Sequence, residues 1–146
     1  AQVVTALDAL DRAADLPALV EASRRILEPG GIMLATLPVA SGFEVQALWE
    51  QSPTVIPPDK LNLPSIKGLM QLFGAPRWEL LELSTPGMFD VEIVRRAMAE
   101  HPDAPWPRLL RSLLSDADAA ARAMLTEYLQ SQRLTSFARL IARRRT

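Results

Sequence analysis

The sequence has no cysteine, a single histidine (His101), only two lysines (Lys60 and Lys67) and few aromatic residues, 5% in all. Without cysteine, a disulfide framework and every thiolate metal site are excluded. A solitary histidine offers neither a metal cluster nor a histidine-based catalytic pair. His101, in a proline-rich connector, therefore reads as a surface group or the cap of a helix C-terminus, where its charged form suits the dipole. No Gly-x-Ser-x-Gly elbow is present, which argues against a serine hydrolase. No apolar run reaches the roughly 18 to 20 residues that span a bilayer, and the first residues lack the layout of a signal peptide. A membrane role is not expected, and the cytosol is the default compartment. The net charge of -1 provides no excess of positive charge for phosphate binding, so no nucleic-acid partner is expected. The one basic cluster, Arg143 to Arg145, reads as a solvated chain end.

What remains is an ordinary globular composition. The 146 residues are 49% hydrophobic and 23% charged, enough to bury the core of one α/β unit. The chain opens at Ala1 directly into Val3 and Val4, with no initiator methionine, and is expected to begin mid-protein. Ala1 to Leu7 is β-branched and apolar, as in a strand buried on both faces. Asp15 is placed to cap a helix carrying Leu16, Leu19, Val20, Ser23, Ile26 and Leu27, which Pro29, Gly30 and Gly31 stop. Ile32 to Leu37 reads as a second strand, parallel to the first in a right-handed βαβ unit. Val39 to Asn62 is a long loop with a short helix near Glu44 to Trp49. Ser65 caps a helix over Ile66 to Phe73, followed by a strand over Trp78 to Ser84. Asp90 is expected to cap a helix with Val91, Val94 and Met98 on one side, and two further helical stretches extend over about 107–114 and 116–132. In the second of these, Ala121, Met124, Leu125 and Tyr128 share a face. Ser136 to Arg143 completes the chain as a strand antiparallel to the rest. The methionines read as core.

Several segments resemble, in order, the second half of class I S-adenosylmethionine-dependent methyltransferases, and of bacterial members in particular. Arg25-Ile26-Leu27-Glu28-Pro29-Gly30-Gly31 is similar to the helix ending that precedes the family's strand 5, and Asp8-Ala9-Leu10-Asp11-Arg12-Ala13 stands where strand 4 ends. Thr36-Leu37-Pro38, Pro57-Pro58-Asp59-Lys60-Leu61-Asn62, Ser65-Ile66-Lys67-Gly68-Leu69 and Leu83-Ser84-Thr85-Pro86-Gly87 continue the likeness across nearly the whole chain. The departures matter too. None of the six glycines forms the Gly-x-Gly pair of the family's cofactor loop, and Arg12 stands where relatives often carry histidine.

The resemblance implies a partial Rossmann-like sheet, mostly parallel with one antiparallel strand and flanked by helices, in a single unit over 1–146 with a helical insert at about 89–132. It implies S-adenosylmethionine as cofactor, flanked by Leu7, Asp8 and Leu10, with weak or no binding by this chain alone. The acceptor, a small molecule or a glycan-linked group, lies on the side of the loop after strand 5. There Phe43, Trp49, Asp59 and Asn62 either form a substrate lid or pin the loop by packing. Asp8, Asp11 and Asp15 could form a carboxylate cluster for metal or acid–base work, although their place at a strand-to-helix junction favours turn and cap roles, and no metal is expected. Trp78 reads as core or rim, and Trp106 as an anchor of the insert. A sheet cut at the first strand exposes an edge for the missing N-terminal half or a second copy of the chain. The alternative is a noncatalytic interaction or oligomerisation module.

Overall fold

A computed structural model describes residues 1–146 as a four-stranded sheet with two groups of helices. The strands are β1 (Val3–Leu7), β2 (Ile32–Pro38), β3 (Trp78–Ser84) and β4 (Phe137–Arg144), in spatial order β1-β2-β4-β3. β1 runs parallel to β2, and β4 is antiparallel to both of its neighbours, β2 and β3. The carboxyl ends of β1, β2 and β3 therefore share one edge with the start of β4.

The first crossover forms as its residues dictate. The Asp15 carboxylate accepts the Ala18 N–H at 2.9 Å and opens α1 (Leu16–Ile26), with Pro17 harmless in the first turn. Beyond it, Gly30 takes a φ of 81°, the left-handed conformation that closes the turn into β2. Ser65 likewise caps α3 (Ile66–Leu72) through the Gly68 N–H at 3.0 Å. Leu16 and Val20 of α1 and Leu69 of α3 join Phe73, Trp78 and the inward side chains of the sheet, Ala6, Met33, Leu37 and Leu140, in one core. Ile26 and Met70 are exposed. The opposite sheet face, which includes Val3, Leu7, Leu34 and Ile141, is half-buried or exposed.

Between β3 and β4 lie α4 (Asp90–Glu100), a short α5 (Arg108–Leu110) running into a π-helical turn (Arg111–Ser115), and α6 (Ala119–Ser131). Val91, Val94 and Met98 meet Leu114, Leu129 and Leu48 of α2 (Phe43–Leu48) in a second core. Trp106 packs on it and donates Nε1–H to the His101 carbonyl at 2.8 Å, and His101 is the C-cap of α4. No helix is long and apolar enough to cross a membrane.

Some local expectations are corrected. β1 is an edge strand and is not buried on both faces: only Ala6 is buried, because Val3, Thr5 and Leu7 point to the sheet face that the core does not cover. Asp90 does not cap its own helix but occupies the first turn, with Phe89 at the N-cap, because its carboxylate is drawn to amides on other elements. The helical stretch expected from about 116 starts as α6 only at Ala119, where Asp118 caps it through the Ala121 N–H. The face Ala121–Met124–Tyr128 is exposed, and α6 instead packs through Leu129 and partly Leu125, about one residue around the helix. Met33 and Met98 are core, whereas Met70, Met88 and Met124 are exposed.

Candidate functional site

Open α/β sheets bind their ligands in the crevice beyond the carboxyl ends of the strands. Here that crevice is a cavity of about 510 Å³, bounded by Asp8 after β1, Pro38 at the end of β2, the Pro86–Phe89 segment after β3, and Ser136 and Phe137 where β4 begins. Its remaining wall comes from α2 and the following loop, through Glu44, Thr54 and Lys60.

The chain leaves β1 through Asp8, whose φ of 49° is a left-handed conformation that aspartate tolerates better than most residues. The Asp8 N–H donates to the Thr36 carbonyl at 3.0 Å, and Arg12 Nη1 donates to the Asp8 carbonyl at 2.6 Å. Leu10 is wholly buried in the core, while Leu7 is 59% exposed at the sheet's free edge. Only Asp8 of these three lines the cavity.

The loop after β2 is strapped to this turn. Asn62 Nδ2 donates to the carbonyls of Leu10 and Ala13 at 3.2 and 2.6 Å, and the Leu61 and Asn62 amides both donate to the Asp11 carbonyl. Asp59 holds Arg12 through two hydrogen bonds, 2.9 and 3.1 Å, which lower the Asp59 pKa and raise that of Arg12. Lys60 Nζ reaches Asp11 Oδ2 at 2.8 Å, compensating a carboxylate with no exposed surface. The structure thus brings Asp59 and Asn62 to the Asp8–Ala13 turn. Neither they, Phe43 nor Trp49 line the cavity; Phe43 packs on the second core, and Trp49 is 60% exposed at the end of α2.

The polar floor comes from residues that the motifs do not single out. Asp90 Oδ2 accepts the Glu44 N–H at 3.0 Å and the Ser136 N–H at 2.8 Å, and Ser136 Oγ accepts the Val45 N–H at 3.2 Å. Two side chains from α4 and the start of β4 thereby cap α2, whose own N-cap is Gly42. Gly42 is required because an added β-carbon would land on the Ser136 backbone. This arrangement turns Glu44 inward: 1% exposed, it accepts the Thr54 hydroxyl at 2.8 Å through Oε2. Ser52 and Ser136 stand beside the carboxyl group and, with Thr54, oppose the rise in its pKa, and Oε1 has no hydrogen-bond partner. Burial, with a smaller contribution from the Asp90 charge, raises the Glu44 pKa above its ordinary 4.5. The only local sequence signal was an acid two residues after Gly42 and flanked by Phe43 and Val45. No group of three histidine, aspartate or glutamate side chains is placed to hold a metal ion.

No protein-family model and no curated protein sequence matches the chain. Solved structures do. The chain is similar to the (4+2) cyclase SpnF, at 16% identity and a TM-score of 0.54 over 99% of this chain and 50% of that one. A chain from the complex between the Haloferax volcanii Trm112 methyltransferase activator and a methyltransferase gives 16% and 0.55, with 99% and 54% covered. The mycolic acid cyclopropane synthase CmaA1, complexed with SAH and CTAB, gives 14% and 0.50, with 97% and 55% covered. The chain thus has the α/β fold of class I methyltransferases and spans about half the length of the structures it matches. Because a cyclase and a cyclopropane synthase share that fold, the reaction has to be argued from the site.

Proposed function

We propose that this chain is the acceptor-side portion of an S-adenosylmethionine-dependent methyltransferase working in the cytosol, with a small-molecule or glycan-linked acceptor. The observation that carries this reading is the cavity at the shared carboxyl edge of β1, β2 and β3, in a sheet with the methyltransferase fold. Bound S-adenosylmethionine would supply an electrophilic sulfonium methyl group. The residues present fit that cofactor only as one wall. Leu7, Asp8 and the Leu10 backbone lie at the open end of β1, but the Leu10 side chain and carbonyl are already engaged and the chain has no Gly-x-Gly loop. The rest of the cofactor site then belongs to a complementary N-terminal unit docking along β1. Positioning is what this part of the fold contributes, and it needs few ionisable groups.

Calorimetric titration of S-adenosylhomocysteine tests the reading, using the 146-residue chain and the same chain extended by whatever its gene encodes before Ala1. Weak binding by the first and micromolar binding by the second is the expected pattern. Absence of binding by both would sink the methyltransferase assignment, and micromolar binding by the 146-residue chain would overturn the division of the cofactor site.

The β1 edge also favours a second reading, a module that pairs with another copy of itself. Val3 and Leu7 are each 59% exposed on a strand with one open flank, the situation in which strands add to one another. Sedimentation should then show a dimer weakened by Val3→Lys; a monomer at all concentrations rules it out.

A further inference from the structure

The cavity places a carboxyl group with an unsatisfied oxygen among apolar walls, and this specifies the kind of ligand it takes. We infer that the cavity binds an amine carried on a small apolar body, with Glu44 Oε1 accepting the ammonium N–H. The inference names the acceptor class of the proposed methyltransferase site and rests on that reading.

Three observations carry it. Glu44 is 1% exposed and lines the cavity, yet Oε1 has no partner. A buried acceptor left unpaired is costly, so a donor supplied by a ligand is favoured there. The charge of the lining is also one-sided. Asp8, Glu44 and Asp90 face the space, and the only cation, Lys60, is already held by Asp11 at 2.8 Å. Finally, Met88, Phe89, Ile93 and Phe137 line the wall and give an apolar body surface to pack on. A hydroxyl could also donate to Oε1, but it would gain nothing from the surplus negative charge. Burial raises the Glu44 pKa, so an arriving cation is the partner that restores the carboxylate. Once the ammonium is seated, its N–H bond can break toward Oε1. The electron pair stays on nitrogen and the proton on Glu44, leaving the free lone pair that a nucleophilic amine requires.

The test uses two probes of nearly identical shape, 2-phenylethylammonium and 2-phenylethanol, titrated calorimetrically into the 146-residue chain at neutral pH without cofactor. The ammonium should bind about tenfold tighter, the difference between a charge-assisted and a neutral hydrogen bond. Glu44→Gln should abolish that preference while leaving the circular dichroism spectrum unchanged. Equal binding of the two probes, no binding of either, or a preference that survives in a folded Glu44→Gln protein overturns the inference. If Glu44→Gln does not fold, the two-probe comparison on the unaltered protein still decides. Because no cofactor is present, failure here rejects the amine class alone, whereas the S-adenosylhomocysteine titration rejects the methyltransferase reading.

Discussion

Asp90 is the residue on which the floor of the cavity depends, and its replacement gives a quantitative test. Its Oδ2 accepts two N–H groups, from Glu44 at 3.0 Å and Ser136 at 2.8 Å, and both bonds are buried. Asp90→Ala leaves both donors without a partner. Each buried, unsatisfied donor costs about 1 to 3 kcal/mol, so the pair should cost about 4 kcal/mol, a large share of the roughly 5 to 15 kcal/mol of a typical domain. Asp90→Asn differs in kind. Its amide oxygen can occupy the position of Oδ2 and keep both bonds as neutral ones, while the negative charge beside Glu44 is removed. A loss of about 1 kcal/mol is expected there. Urea unfolding at pH 7, followed by circular dichroism, should separate the two variants by at least about 2 kcal/mol with similar m values. If Asp90→Ala costs less than about 1 kcal/mol, or if Asn is as damaging as Ala, the two amides do not depend on this carboxylate as described.

Four further outcomes follow from the same structure. Gly42→Ala should destabilise by about 3 kcal/mol in the same urea assay, since its β-carbon meets the Ser136 backbone rather than a flexible side chain. Lys60→Met should cost about 3 kcal/mol by removing the hydrogen-bonded partner of the fully buried Asp11 carboxylate and leaving only Arg12, 3.7 Å away, whereas Arg12→Ala, which keeps that partner and otherwise loses the half-exposed pair with Asp59 and the bond to the Asp8 carbonyl, should cost about 1 kcal/mol in the same assay. Glu44, with its folded pKa raised, keeps its proton longer in the folded state, so its contribution falls as pH rises from about 4.5 toward the folded value; Glu44→Gln should flatten that part of the stability–pH curve. Glu21, held down to about 2, chiefly by Arg24, acts in the opposite sense: its contribution is complete above about 4.5 and is lost as pH falls through 2, so Glu21→Gln should diminish the acid limb measured by thermal melts.

Much of the frame was legible because it is locally encoded. Asp15 and Ser65 cap the helices they precede, Gly30 adopts the conformation that only glycine takes easily, and Trp78 to Ser84 carries the apolar run of its strand. The cavity was not legible in the same way. Asp90 precedes an amphipathic helix and so looks like that helix's cap; it serves α2 and β4 instead because the fold brings amides 46 residues away in sequence within reach. Glu44 carries no mark of burial, since a carboxylate on a short apolar helix is equally compatible with solvent. Asp59 and Asn62 lay in the segment the motif marked, but their side chains strap the loop to the Asp8–Ala13 turn, and that could not be read without the partners. Exposure of Val3 and Leu7 depends on which face of the sheet the helices cover and on which strand ends the sheet, properties of topology rather than of the strand's own residues.

The position of β4 bears on how such a chain reaches its folded state. β4 is the sole neighbour joining β2 to β3, so until it arrives the molecule is a βαβ unit on one side and an isolated strand on the other. The two strands it must join lie far back in sequence, with α4 to α6 intervening, so both pairings close long loops before either is rewarded. The helical segment therefore also acts as a tether in the folding reaction, and its length and internal order set how soon the sheet can close. Substitutions in α6 that leave the finished fold intact should show themselves first in the refolding rate.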